Sequence, residues 1–126
     1  MSDDVRLGEI GQIAVAVHDV PRAVAFYRDQ LGMQLLFEMP PEMAFFNNGS
    51  VRLMLSLPSS EEHDHRSSII YYKVDDIQAT YETLSDRGVE FTETPHQVAR
   101  MPDHELWMAF FKDLDDNVLA LMSEVR

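Results

Sequence analysis

The sequence predicts an α+β fold of two tandem βαβββ modules that form curved, cup-like mixed sheets. Three observations lead there. A short segment recurs: Val17-His18-Asp19-Val20-Pro21-Arg22-Ala23 resembles Val74-Asp75-Asp76-Ile77-Gln78-Ala79-Thr80. Each copy follows an apolar run, Ile10 to Val17 or Ile69 to Val74, and opens a helical pattern that stops at a glycine, Gly32 or Gly88. Three strand-like stretches then follow each helix.

The first helix has Asp19 as N-cap and Pro21 in its first turn, where a missing N–H costs nothing. Val20, Ala23, Val24, Tyr27 and Leu31 recur at helical spacing, and Gly32 suits the left-handed residue that ends a helix. Met33–Glu38, Met43–Asn47 and Val51–Leu57 read as strands, with Asn48-Gly49 as a hairpin turn. The second helix has Asp76 as cap, then Ile77, Tyr81 and Leu84. Val89–Glu93, Leu106–Lys112 and Val118–Met122 read as its strands, with 113–117 as the matching turn. One domain of 126 residues results: module one over about 9–58, a linker over 59–67, and module two over about 68–124.

Composition narrows the partners. Ten Lys and Arg against 22 Asp and Glu give a net charge of -12. Phosphate binding needs clustered cations, so nucleic acid and anionic membrane are excluded as main partners. Residues 1–60 carry seven acids and four bases (net -3), and residues 61–126 carry fifteen and six (net -9). The acidity therefore belongs mostly to the linker and second half, and reads as a solvated exterior. The absence of cysteine removes disulfides, thiolate metal sites and a Cys nucleophile. The acidic start Met1-Ser2-Asp3-Asp4 lacks the features of a secretory leader, and the expectation is a cytoplasmic protein.

The stretch from Asp19 through Phe26-Tyr27 to Leu31-Gly32 resembles the D-x-x-x-x-x-x-F-Y-x-x-x-L-G helix of the vicinal oxygen chelate superfamily. That superfamily includes glyoxalases, bleomycin-resistance proteins and extradiol dioxygenases. Asp113-Leu114-Asp115-Asp116-Asn117 resembles its D-P-D-G-N turn, with Leu114 and Asp116 as departures. The resemblance covers about residues 9–124. It implies half-open cups, a homodimer and, in metal-binding members, His and Glu ligands on the first and last strand of each module. Carried over one at a time, those positions fall on Gln12, Met54, Ile69 and Ala120. Glutamine is a weak neutral ligand, and Ile and Ala cannot ligate, so no metal and no cofactor are expected at that site. The general bases of the lyase and epimerase chemistries go with them.

Strand alternation puts Ala14 and Ala16 with Gln12, Arg52 and Ser56 with Met54, Tyr71 and Lys73 with Ile69, and Val118 and Met122 with Ala120. The expected lining is small and apolar, with Gln12, Tyr71 and Arg52 as polar points and Arg52 as the main cation. Arg52 either clamps an anionic ligand group or reaches out to water. Tyr71 and Trp107 either contact a ligand or pack in the core. Met33, Met54, Met101, Met108 and Met122 either shape an adaptable pocket or fill the core. His63-Asp64-His65 reads as solvated linker, His18 as facing solvent and His96 as lying in a loop, while His104-Glu105 opens a strand near the cup mouth.

Three functions fit. The first is a metal-free binder of a small molecule in the cup, lined by Gln12, Arg52, Met54, Ile69, Tyr71, Trp107 and Ala120. The second is a lyase, isomerase or dioxygenase of the superfamily that uses no metal or non-standard ligands such as His96, His104 or Glu105. The third is a non-catalytic interaction module whose cup is closed by its own side chains.

Overall fold

A computed structural model describes residues 5–58, 60–61, 64–66 and 68–126. The order is β1 (Gln12–Ala16), α1 (Val20–Ala25), a π-helical turn (Phe26–Gln30), β2 (Gln34–Met39), β3 (Met43–Asn48) and β4 (Val51–Ser56). It continues with β5 (Ile70–Lys73), α2 (Ile77–Asp86), β6 (Phe91–Arg100), β7 (Glu105–Lys112) and β8 (Val118–Val125). Two four-stranded sheets form, in the orders β1-β4-β3-β2 and β5-β8-β7-β6. In each, the first strand pairs in parallel with the last and the other pairs are antiparallel. Among the described residues, no helix is long and apolar enough to cross a membrane.

The boundary signals act as expected. The Asp19 side chain accepts from the Arg22 N–H, and the Asp76 side chain from the Ala79 N–H. Gly32, Gly49 and Gly88 all have positive φ, which their turns require. Three local expectations change. The first helix widens after Ala25, with the Leu31 N–H reaching back five residues to Phe26 O. The sixth strand runs to Arg100 instead of ending at Glu93, so His96 lies in a strand and not a loop. Ile69 stands just before β5, outside the strand.

Each sheet packs one face on its helices. Val15, Ala44, Phe46, Leu53 and Leu55 from the first sheet and Ala109, Phe111, Leu119 and Leu121 from the second are buried. With Val20, Val24, Phe26, Tyr27, Ile77 and Leu84 they form one apolar cluster spanning both modules. The opposite, helix-free faces are called the open faces here.

A polar network crosses between modules inside that core. Asp113, 5 % exposed, accepts from Tyr27 Oη at 2.7 Å, Asp115 N at 2.8 Å, Asn117 N at 2.9 Å and Asn117 Nδ2 at 2.9 Å. Asn117 Nδ2 also donates to Ala16 O at 3.0 Å. Burial, and then the Asp113 charge, push the Tyr27 phenol well above its ordinary range, so it stays a donor. Tyr72 Oη is also buried but has no hydrogen-bond partner among the described residues. Two phenol deletions should therefore differ in sign. Tyr27→Phe should lower stability by about 1.5–3 kcal/mol, because it strips a donor from a buried carboxylate. Tyr72→Phe should be neutral or stabilise by up to about 1 kcal/mol, because it removes an unpaired polar group. Urea unfolding of both variants measures this, and equal losses would contradict the assignment.

Candidate binding site on the open sheet faces

The ladder registers arrange the open face of the first sheet in rows. One row is Gln12, Arg52, Asn47 and Gln34, and the next is Ala14, Met54, Phe45 and Phe37. Arg52 is the centre. Its Nε donates to Gln12 Oε1 at 2.9 Å, and its Cζ lies 4.9 Å from the Phe45 ring centroid. Phe45 stacks on Phe37 with centroids 4.6 Å apart. Gln12 Nε2 lies 3.7 Å from Met54 Sδ. The structure thus brings Gln12, Arg52 and Met54 together on an aromatic floor.

The open face of the second sheet has a central row of Tyr71, Ala120, Phe110 and Glu93. Tyr71 and Phe110 flank Ala120 on its two neighbouring strands. Their rings meet edge to face with centroids 6.0 Å apart, and Ala120 is fully buried. Ile69 is 44 % exposed at the strand's approach. Trp107 stands apart from these residues. It pairs with Ser123 in the ladder and packs against the core cluster, on the helix side of the sheet. There it lines a groove of about 510 Å³ with Asp75, Ile77 and Gln78, and its Nε1 donates to Glu105 Oε1 at 3.0 Å. Trp107 is therefore removed from the cup lining. Phe45, Phe37, Phe110 and Lys112 are among the open-face residues that sequence reasoning missed.

The superfamily's metal does not fit these residues. The Gln12 amide oxygen is taken by a guanidinium, which would repel a divalent ion at that spot. Ala120 lies beneath an aromatic pair. The non-standard donors do not converge either. His96 shares the open face with Met108, whereas Glu105 pairs with Val125 on the other face. His104 Nδ1 is 2.7 Å from Asp103 Oδ1. Among the described residues no group of three or more His, Cys, Asp or Glu side chains is placed to hold a metal ion. His63 lies outside the described residues.

His18 is exposed but not free. Its Nδ1 is 2.9 Å from Asp115 Oδ1 and its Nε2 is 2.8 Å from Asp64 Oδ1. Two carboxylates, one at each nitrogen, suit an imidazolium, and the hydrogen bond to Asp115, then that to Asp64, raises its pKa above the usual value.

A tandem βαβββ chain with paired mixed sheets, helices on one side and an open face on the other defines a class of cup-forming proteins. The chain belongs to the glyoxalase/bleomycin resistance protein/dioxygenase superfamily, whose family model matches residues 9–121. It is 29 % identical over 126 residues to the uncharacterized protein YraH of Bacillus subtilis, covering 87 % of this chain and 94 % of that one. A solved superfamily member from Sphaerobacter thermophilus is 26 % identical, with a TM-score of 0.76 over 94 % of this chain and 98 % of that one. TnmS3, an antibiotic binding protein from Streptomyces sp. CB03234, shares the fold at 23 % identity, with a TM-score of 0.76 over 95 % and 98 % of the two chains.

The His18 contacts carry a pH signature. A raised folded-state pKa gives stabilisation that is fully present below the unfolded value of about 6.5 and is lost as pH rises through the folded value. The melting-temperature difference between wild type and His18→Ala should be larger at about pH 6 than at about pH 9. Thermal unfolding at both pH values checks this, and a difference that grows with pH would contradict it.

Proposed function

We propose that this protein is a metal-independent binder of a small molecule, which it takes against the open sheet faces as a homodimer. The observation that carries the reading is the Arg52–Gln12–Phe45 assembly. A neutral amide and an aromatic ring hold a guanidinium where a metalloenzyme of this fold would need a donor set. Exposed apolar side chains on both open faces suit a ligand, Phe37 45 % exposed on the first sheet and Tyr71 44 % exposed on the second. That a protein of this fold is described as antibiotic-binding supports the reading, since the fold then serves binding. Dimerisation is supported by the same exposure, because a single chain leaves both open faces uncovered and a second copy would close them. The acidic composition argues against nucleic acid and anionic membrane as partners.

Binding of 2-naphthylmethanol, a flat neutral probe, is the test. Its affinity by calorimetry should be unchanged after dialysis against EDTA. Ala14→Trp, which fills the row beside Met54, should weaken it by about tenfold or more without lowering the melting temperature. Stoichiometric zinc, nickel, iron or manganese whose removal abolishes binding would instead favour a metalloenzyme. Sedimentation velocity at micromolar concentration should show a dimer. A monomer throughout would remove the shared cup.

A further inference from the structure

The charged side chains of the open faces run against the charge of the molecule. The chain carries -12 overall, with 22 acids against 10 Lys and Arg. The four strands of the first sheet contain a single carboxylate, Glu38. It pairs with buried Ala44 on the helix side, where its field acts on Arg28. The open face of that sheet therefore holds Arg52 and no acid. The only two lysines of the chain, Lys73 and Lys112, both stand on the open face of the second sheet, across from Met122 and Val118. Two carboxylates share this face, Glu93 and Glu124, and each is already beside a base: His96 at 3.6 Å and Arg126 at 3.2 Å.

Arg52 is also prepared for a guest. Among the described residues its only hydrogen-bonding side-chain partner is Gln12, through Nε, and no carboxylate lies within ion-pair distance. Its guanidinium rests on Phe45, so its orientation is set without spending the Nη donors. Those donors form a planar fork that matches a carboxylate bidentately. The stacked pair Phe45–Phe37 continues the surface beside it.

We infer that the cup takes an anion: a flat, largely apolar small molecule whose carboxylate meets the Arg52 fork while its body lies on the aromatic floor, with Lys73 and Lys112 adding positive field. The inference rests on the cup-binding reading and adds the charge of the ligand. A cationic guest would be better received at the groove beside Trp107, where Asp75 and Asp76 stand together.

Three matched probes test it on the full chain: 2-naphthoate, 2-naphthylmethanol and 2-naphthylmethylammonium, titrated by calorimetry and placed by NMR shift mapping. Naphthoate should bind the open faces about tenfold more tightly than the alcohol, and added salt should shrink the gap. Arg52→Met should erase the preference, so that naphthoate binds no more tightly than the alcohol to the same variant. Arg52→Lys, which keeps the charge and loses the fork, should restore part of it. Circular dichroism and melting temperature confirm that both variants fold. The inference is overturned if the ammonium probe binds the open faces as tightly as naphthoate, or if the preference survives Arg52→Met. If the alcohol binds there and naphthoate has no advantage, the inference falls and the cup reading stands. If none of the three binds, both fall.

Discussion

Asp113 sits in the core with four hydrogen bonds, from Tyr27 Oη, Asp115 N, Asn117 N and Asn117 Nδ2. A buried carboxylate is tolerable only when its acceptors are saturated. Here the donors come from both halves of the chain. Tyr27 belongs to the helical segment of the first module, and Asn117 reaches back to the Ala16 carbonyl at the end of the first strand. The turn between the last two strands is thereby tied to the start of the fold. With the turn fixed there, the helix faces of both sheets turn inward to one shared core.

The open faces are consequently released from any duty in the core. Their residues answer to whatever lies against them, so Met54 and Ala120, the positions the family resemblance matches to metal ligands, are free to be non-ligating without loss of fold. Arg52 is not an equivalent of a metal ion. A guanidinium supplies a fixed positive charge and directional donors, but it exchanges no ligands and releases no proton near neutral pH. It can hold and orient an acceptor. It does not by itself supply the base that proton abstraction requires.

Much of the fold was legible because its signals are local. Asp19 and Asp76 cap, Gly32 and Gly88 stop, and alternation in the first and fourth strands placed Gln12, Arg52 and Met54 on one face. What escaped notice escaped for physical reasons. The seventh strand is apolar on both faces from Leu106 to Phe111, so pattern alone could not say that Trp107 faces the helix and Phe110 the opening. Ala44-Phe45-Phe46 in the third strand has the same ambiguity, which hid the floor beneath Arg52. The sixth strand is an edge with several register shifts, and its polar Thr92–Gln97 stretch shows no alternation to read. The π-helical turn keeps the apolar residues near helical spacing, so its extra residue leaves little trace.

The acidity of the chain and a cationic cup are compatible because they act over different distances. Charges on the exterior are screened over about 8–10 Å at physiological ionic strength. A small monoanion that reaches the open face meets Arg52 at contact, where a nearby charge outweighs many screened ones. A polyanion has no such option. Nucleic acid or an anionic membrane must lie along a broad surface of a chain whose carboxylates outnumber its Lys and Arg 22 to 10. An acidic exterior around the proposed anion site would therefore sort anions by size, admitting small ones and rejecting extended ones. The net charge of -12 would then act as a filter on that proposed site.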